Sequence, residues 1–201
     1  DSIYVEVDSM PNFQGGQQGL LNYVLKGLKY PAAYRDSCKT GIVELALVIK
    51  PNGLVEIEEM LDFNALGLDF QWEAIRMANR SSGLWIAAQY QGRQVATSVP
   101  IRALFKSDQD RCKSANTAFD NAMLLGDEGA QLAEQNKPAE ALEKWNAALA
   151  LDPNNSGLLY YRGSTLLALD RRDEACADFT KAKLLMGVTW FEPLRKLVCG
   201  Q

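Results

Sequence analysis

Apolar and polar residues alternate along two stretches of this chain and recur every three or four positions along most of the rest. From Gly41 to Glu59, Val43, Leu45, Leu47 and Ile49 share one face of an extended chain, and Glu44, Ala46 and Lys50 the other. Asn52-Gly53 breaks that alternation with a pair suited to positive φ, and Val55 and Ile57 resume it, which predicts a hairpin. Trp85 to Phe105 predicts a further hairpin or long strand turning at Gln91-Gly92, with Val95, Thr97, Val99 and Ile101 on one face. Pro100 cannot donate to a ladder, so it predicts an edge or a bulge. Ile3, Val5 and Val7 alternate weakly and predict a short first strand. Leu21, Val24, Leu25 and Leu28 follow helical spacing up to Tyr30-Pro31, and Phe70, Ala74, Ile75 and Met77 do so between Asp69 and Asn79, with Gly83 as terminator. Trp72, Met77, Trp85 and Trp190 sit at periodic positions and are expected in cores. Strand, helix, hairpin, helix, strand is the order of an α+β layer, an antiparallel sheet with helices on one face.

Beyond Phe105 the pattern becomes helical throughout, and it repeats. Gly129, Ala141, Trp145 and Ala148 are answered by Gly163, Ala175, Phe179 and Ala182, each 34 residues later. Small residues at these positions let antiparallel helices approach closely, and the aromatic fills the gap between pairs. Pro138 suits a first helical turn, and Asp152-Pro153-Asn154 breaks between repeats. Thr189-x-x-Glu192 predicts a capping box for a last helix ending near Val198. The period and its small-and-aromatic pattern resemble the tetratricopeptide repeat, whose helix pairs stack into solenoids that bind or space other proteins. The expected division is a first domain over 1–106, a polar linker over 107–114, and two repeats with a capping helix over 115–201.

The net charge of −4 and the lack of a Lys/Arg cluster with interleaved aromatics argue against nucleic acid as a partner. No apolar run approaches the roughly 20 residues that span a bilayer. Any signal or anchor is expected upstream of Asp1 or not at all. The chain has no histidine, which removes the commonest general base and metal ligand. Neither a metal nor a cofactor is expected. Cys38, Cys112, Cys176 and Cys199 lack C-x-x-C spacing, and their even number fits disulfides in an oxidising compartment, with buried free thiols the alternative. If the last helix runs antiparallel to its predecessor, its end returns to where that helix began, which would pair Cys176 with Cys199. Cys38 and Cys112, before the first hairpin strand and after the last strand, form the looser second pair. A thiol-dependent enzyme is disfavoured, because no cysteine has a base beside it, and the chain is expected not to be an enzyme.

The first hundred residues resemble the C-terminal domain of TonB, the periplasmic energy transducer, in its Bacteroidetes-type form. The resemblance rests on Met10-Pro11-Asn12-Phe13-Gln14-Gly15-Gly16, Leu28-Lys29-Tyr30-Pro31, Gly41-Ile42-Val43, Asn52-Gly53, Trp85, Gly92-Arg93-Gln94-Val95, and Val99-Pro100-Ile101 with Phe105. It implies an antiparallel sheet with two helices and a periplasmic place in the cell envelope. It also implies an edge strand, here Gln94, Val95, Ala96, Thr97, Ser98 and Val99, that captures an extended peptide such as an outer-membrane receptor segment. Coverage of that edge by the repeats, by residues 1–7 or by a second copy of the chain, giving a homodimer through edge strands, is the alternative. The repeat family's concave face matches Met123, Gly126, Ala130 and Ala133, then Gly157, Tyr160, Ser164 and Leu167, and would dock a protein or pack against the first domain. The expected function is a non-enzymatic envelope scaffold. The alternative is an energy transducer for outer-membrane transport with its membrane anchor outside this sequence.

Overall fold

The computed structural model describes residues 2–186 and 191–200. The chain divides into two compact units. One comprises Asp1–Tyr34, Ile42–Asp62 and Leu66–Phe105; the other comprises Arg35–Gly41, Phe63–Ala65 and Lys106–Gln201.

The first unit is built on a three-stranded sheet ordered β3-β2-β7, with β2 (Gly41–Ile49) between β3 (Val55–Asp62) and β7 (Thr97–Phe105). β2 and β3 pair antiparallel through a connection in which Gly53 N–H bonds Lys50 C=O at 2.8 Å, Asn52 Oδ1 accepts from Leu54 N–H, and Gly53 has φ 77°. A Cβ at Gly53 would lie 2.5 Å from the Trp85 carbonyl oxygen, so this turn needs glycine for space as well as for φ. β2, the central strand, is buried along its length except at the half-buried Glu44 and Ala46. Two helices, α1 (Gly16–Gly27) and α2 (Leu68–Arg80), lie among the same core residues. Phe70 anchors that core, with the rings of Tyr30, Tyr34 and Phe105 all about it at 5.1–5.3 Å. α2 begins at Gly67, which has no capping side chain; the buried Asp62 carboxylate does the work from β3, accepting from Leu66 N–H, Gly67 N–H and Gln71 Nε2.

Two expectations change here, and a third, the hairpin at Gln91-Gly92, is found within a stretch more broken than expected. Residues 2–10 do not form a strand: single bridges at Ile3 and Ser9 flank a bend, and Val5 is 91% exposed, having no face to bury against. Trp85 to Phe105 is broken into β4 (Trp85–Ile86), β5 (Ala88–Tyr90), β6 (Arg93–Val95) and β7. β4 pairs with β1 (Asn12–Phe13), and β5 with β6 through Gln91-Gly92, both at positive φ, the conformation of a type I′ turn. Trp72 is 65% exposed rather than in the core, because Phe70, Ala74, Met77 and Ala78 fill the buried stripe of α2. Trp85 and Met77 are buried; Trp190 and the Thr189 end of the capping box lie outside the described residues.

The second unit stacks α3 (Lys113–Glu134), α4 (Pro138–Leu151), α5 (Ser156–Ala168), α6 (Arg172–Met186) and α7 (Glu192–Cys199). The 34-residue register now has a mechanical meaning. Gly129 faces Trp145 and Gly163 faces Phe179 so closely that a Cβ on either would come within 2.9 and 2.8 Å of the ring. Ala141, Ala148, Ala175 and Ala182 are fully buried beside those rings. Leu197 stands where the glycine would recur on α7, and its side chain is exposed.

The stretch 107–114 is not a free linker. Ser107 is buried and its hydroxyl donates to Arg35 C=O, Cys112 is fully buried, and α3 already begins at Lys113. Arg111 pairs with Asp36, and the Cys38–Cys112 disulfide (Cα–Cα 5.0 Å) fixes the Arg35–Gly41 segment to the start of α3. A second disulfide joins Cys176 on α6 to Cys199 on α7 (Cα–Cα 5.2 Å).

Candidate peptide-binding edge and repeat face

β7 is an edge of the three-stranded sheet, and its backbone decides what that edge can bind. Peptide groups of successive strand residues point to opposite sides. Ala96, immediately before β7, bridges Ile3 in parallel register and accepts the Tyr4 N–H at 2.8 Å. By alternation Ser98, Pro100, Arg102 and Leu104 turn their backbone groups to that same side. Pro100, which has no N–H, falls in this outward set, so the set directed at β2 keeps all its donors. Inward side chains Thr97, Ile101, Ala103 and Phe105 are buried, which fixes the strand's register against the core. Arg102 is held at its exposed end by Glu44 of β2 at 2.6 Å.

The six residues Gln94 to Val99 are therefore not one continuous edge strand. Gln94 and Val95 close the β5–β6 hairpin opposite Gln89 and Ala88. Ala96 already carries the N-terminal segment, and the Thr97 hydroxyl donates to Tyr4 C=O at 2.6 Å. Ser98 and Val99 begin β7, and the edge continues beyond them to Leu104. Among the described residues of this unit, no backbone partner appears for the outward groups of Ser98, Arg102 and Leu104.

The positions matched to a concave repeat face are mostly used inside the unit. Tyr160 packs against Phe179 and Phe191 with ring centroids 5.8 and 5.9 Å apart, and Ala130 and Leu167 lie against the same core. Ser164 donates to Tyr160 C=O, and a Cβ at Gly126 would meet Leu158 at 2.8 Å. Gly157 is covered by the ring of Phe63, whose carbonyl accepts both Ser156 N–H and Ser156 Oγ at 2.8 Å. Met123 Sδ lies 3.9 Å from Asn155 Nδ2, and Ala133 is exposed. Sequence spacing placed these residues on one helix face, but gave no sign that the chain's own Phe63–Ala65 segment would sit on it.

Several polar groups that the sequence did not single out are also paired. Arg162 donates to both carboxylate oxygens of the buried Asp178 at 2.7 and 2.6 Å and to Asn146 Oδ1 at 3.0 Å. That hydrogen-bonded carboxylate raises the Arg162 pKa. Asp152 accepts from Asn64 Nδ2 and Asn155 Nδ2, and its burial pushes its carboxyl above the ordinary value. Glu192, bridged by Arg195 and then Lys183, is held down to about 2. No helix among the described residues is long and apolar enough to cross a membrane.

No known protein-family profile matches the chain. An alignment of 102 residues, covering 44% of this chain, is 31% identical to the mitochondrial import receptor subunit TOM70 of Rattus norvegicus, and one of the same length is 29% identical to that of Homo sapiens. A further 61-residue alignment, 30% of this chain, is 39% identical to tetratricopeptide repeat protein 33 of Mus musculus. The chain spans only 17% of those receptor subunits and 21% of the repeat protein. These likenesses, with the glycine–aromatic register, support a tetratricopeptide-repeat-like helical region. The TonB resemblance has no counterpart among them.

Proposed function

We propose that this chain is a non-enzymatic protein-binding scaffold of an oxidising compartment, with a TonB-like first unit that captures an extended peptide along β7. The observation that carries the reading is the outward row of Ser98, Arg102 and Leu104 on an edge strand whose inward face is locked into a core. Such a row offers main-chain hydrogen bonds to any extended segment, and the partner's alternate side chains then set specificity. Three strands packed with two helices, together with the order of TonB-like motifs, support the family reading of this unit. The helical relatives support protein partners for the chain as a whole. Two disulfides, on all four cysteines, favour a periplasmic or otherwise extracytoplasmic site, since cytosolic thiols are kept reduced. The repeats act chiefly as a platform: their matched concave positions are largely taken by Phe63, Tyr160 and Phe191.

Peptide selection from a random displayed library against the full chain tests this. Selected peptides should shift the amide resonances of Ser98, Arg102 and Leu104, and Ser98→Pro, which removes one outward donor as Pro100 already does, should weaken them about tenfold, the effect of losing one net hydrogen bond of about 1.4 kcal/mol. Peptides that bind equally well to Ser98→Pro, or that shift only the helical unit, would refute the assignment.

A further inference from the structure

The segment before β1 has little reason to be ordered by its own side chains. No side chain from Ser2 to Glu6 is buried: Ile3 and Tyr4 are only partly covered, and Val5, in the bend, is the most exposed large apolar side chain of the unit. Yet the segment is held at two points by backbone chemistry. At the first, Tyr4 N–H bonds Ala96 C=O, Thr97 Oγ1 donates to Tyr4 C=O, and Ile3 bridges Ala96 in parallel register. At the second, Ser9 and Gln89 exchange hydrogen bonds, Asp8 N–H also reaches Gln89 C=O, and the Asp8 carboxylate accepts Gln91 N–H at 2.6 Å. The Tyr4 ring lies against Tyr90 at 5.4 Å, the one aromatic contact of the segment among the described residues.

We infer that Ser2–Ser9 is an intramolecular strap that occupies the head of the peptide-binding edge and must leave for the edge to be filled from its beginning. The inference rests on the proposed capture of a peptide by β7 and adds its regulation. The strap takes the same groups a partner would take: the Ala96 backbone lies in the outward set that continues through Ser98, Arg102 and Leu104. Its hold is of the releasable kind, because none of its side chains is fully buried, Val5 stands in water, and it relies on backbone hydrogen bonds at an edge open to water. A partner that fits would be an extended segment running parallel to β7, with an aromatic residue where Tyr4 meets Tyr90.

The test uses a fluorescein-labelled peptide of the strap's own sequence, Ser-Ile-Tyr-Val-Glu-Val-Asp-Ser, titrated into the full chain. Two variants release the strap: deletion of residues 2–9, and Tyr4→Pro, which removes the N–H given to Ala96 without shortening the chain. If the strap covers the head of the edge for about nine-tenths of the time, each variant should bind the peptide about tenfold more tightly than the parent. Thr97→Val in the Tyr4→Pro background should reduce that gain by removing the hydroxyl that meets the peptide carbonyl. Equal affinity in the parent and both variants overturns the strap while leaving capture along Ser98–Leu104 standing. Absence of binding in every variant, with circular dichroism showing them folded, overturns the strap as a ligand of this edge; loss of the library peptides on Ser98→Pro is read separately and bears on capture alone.

Discussion

Replacing Gly163 with alanine should destabilise the helical unit, against the rule for helix interiors. In an open helix the change removes backbone freedom from the unfolded chain and stabilises by about 1 kcal/mol. Here the new methyl would lie 2.8, 3.1 and 3.1 Å from three carbons of the Phe179 ring, itself fully buried. The ring cannot retreat: Tyr160 and Phe191 lie against it with centroids 5.8 and 6.4 Å away, and Ala175 and Ala182 flank it on α6. Overpacking of this kind costs about 1–3 kcal/mol, so the net effect is a loss of up to about 2 kcal/mol. Phe179→Leu removes the offending ring edge, and in that background Gly163→Ala should return to neutral or stabilising. Urea denaturation of the four proteins, followed at 222 nm, closes a double-mutant cycle with a coupling of about 1–3 kcal/mol. Gly163→Ala that stabilises in the parent, or shows no coupling to Phe179, would refute the argument that the glycine exists to seat the ring.

Cys176→Ala with Cys199→Ala should cost about 3 kcal/mol by the chain-entropy estimate for a 23-residue separation, read as a lower urea midpoint of the oxidised protein relative to the parent. Glu192 has a folded-state pKa of about 2 against an ordinary 4.5, so its contribution is present above pH 4.5 and is lost as pH falls towards 2; α7 should loosen in that window, and Glu192→Gln should abolish that part of the pH dependence. Asp152 has the opposite sign: burial raises its pKa, so its contribution is present below the unfolded value near 3.8 and is lost as pH rises through the folded value, and Asp152→Asn should remove this dependence. Trp72→Gln should change stability by less than about 0.5 kcal/mol, since the indole is mostly in water; a larger loss in thermal unfolding would contradict its exposed placement.

What the sequence could announce was whatever depends on local period. Val43 to Ile49 and the 34-residue glycine–aromatic register each state a face, and a face must be buried, so the hairpin and the helix pairs were legible. The turns at Gly53 and Gly92 were legible because glycine accepts their positive φ at little cost. Trp72 misled because helical period counts an aromatic as core without knowing that Phe70, Ala74, Met77 and Ala78 already fill the space. The N-terminal segment misled for the converse reason: alternation at Ile3, Val5 and Val7 implies a buried face, while the segment is held by backbone bonds that leave no mark on composition. The Phe63 contact with Gly157 was hidden for a third reason. It joins residues 94 positions apart through a short loop with no period at all, and no pattern along a single chain records such a meeting.

Hydrogen exchange along β7, residue by residue in the full chain, tests the proposed peptide edge most directly. The account predicts fast exchange at Ser98, Arg102 and Leu104 and slow exchange at Val99, Ile101 and Ala103, with the outward three becoming protected when a selected peptide is added. Outward amides already as protected as their inward neighbours, or unchanged by the peptide, would contradict it.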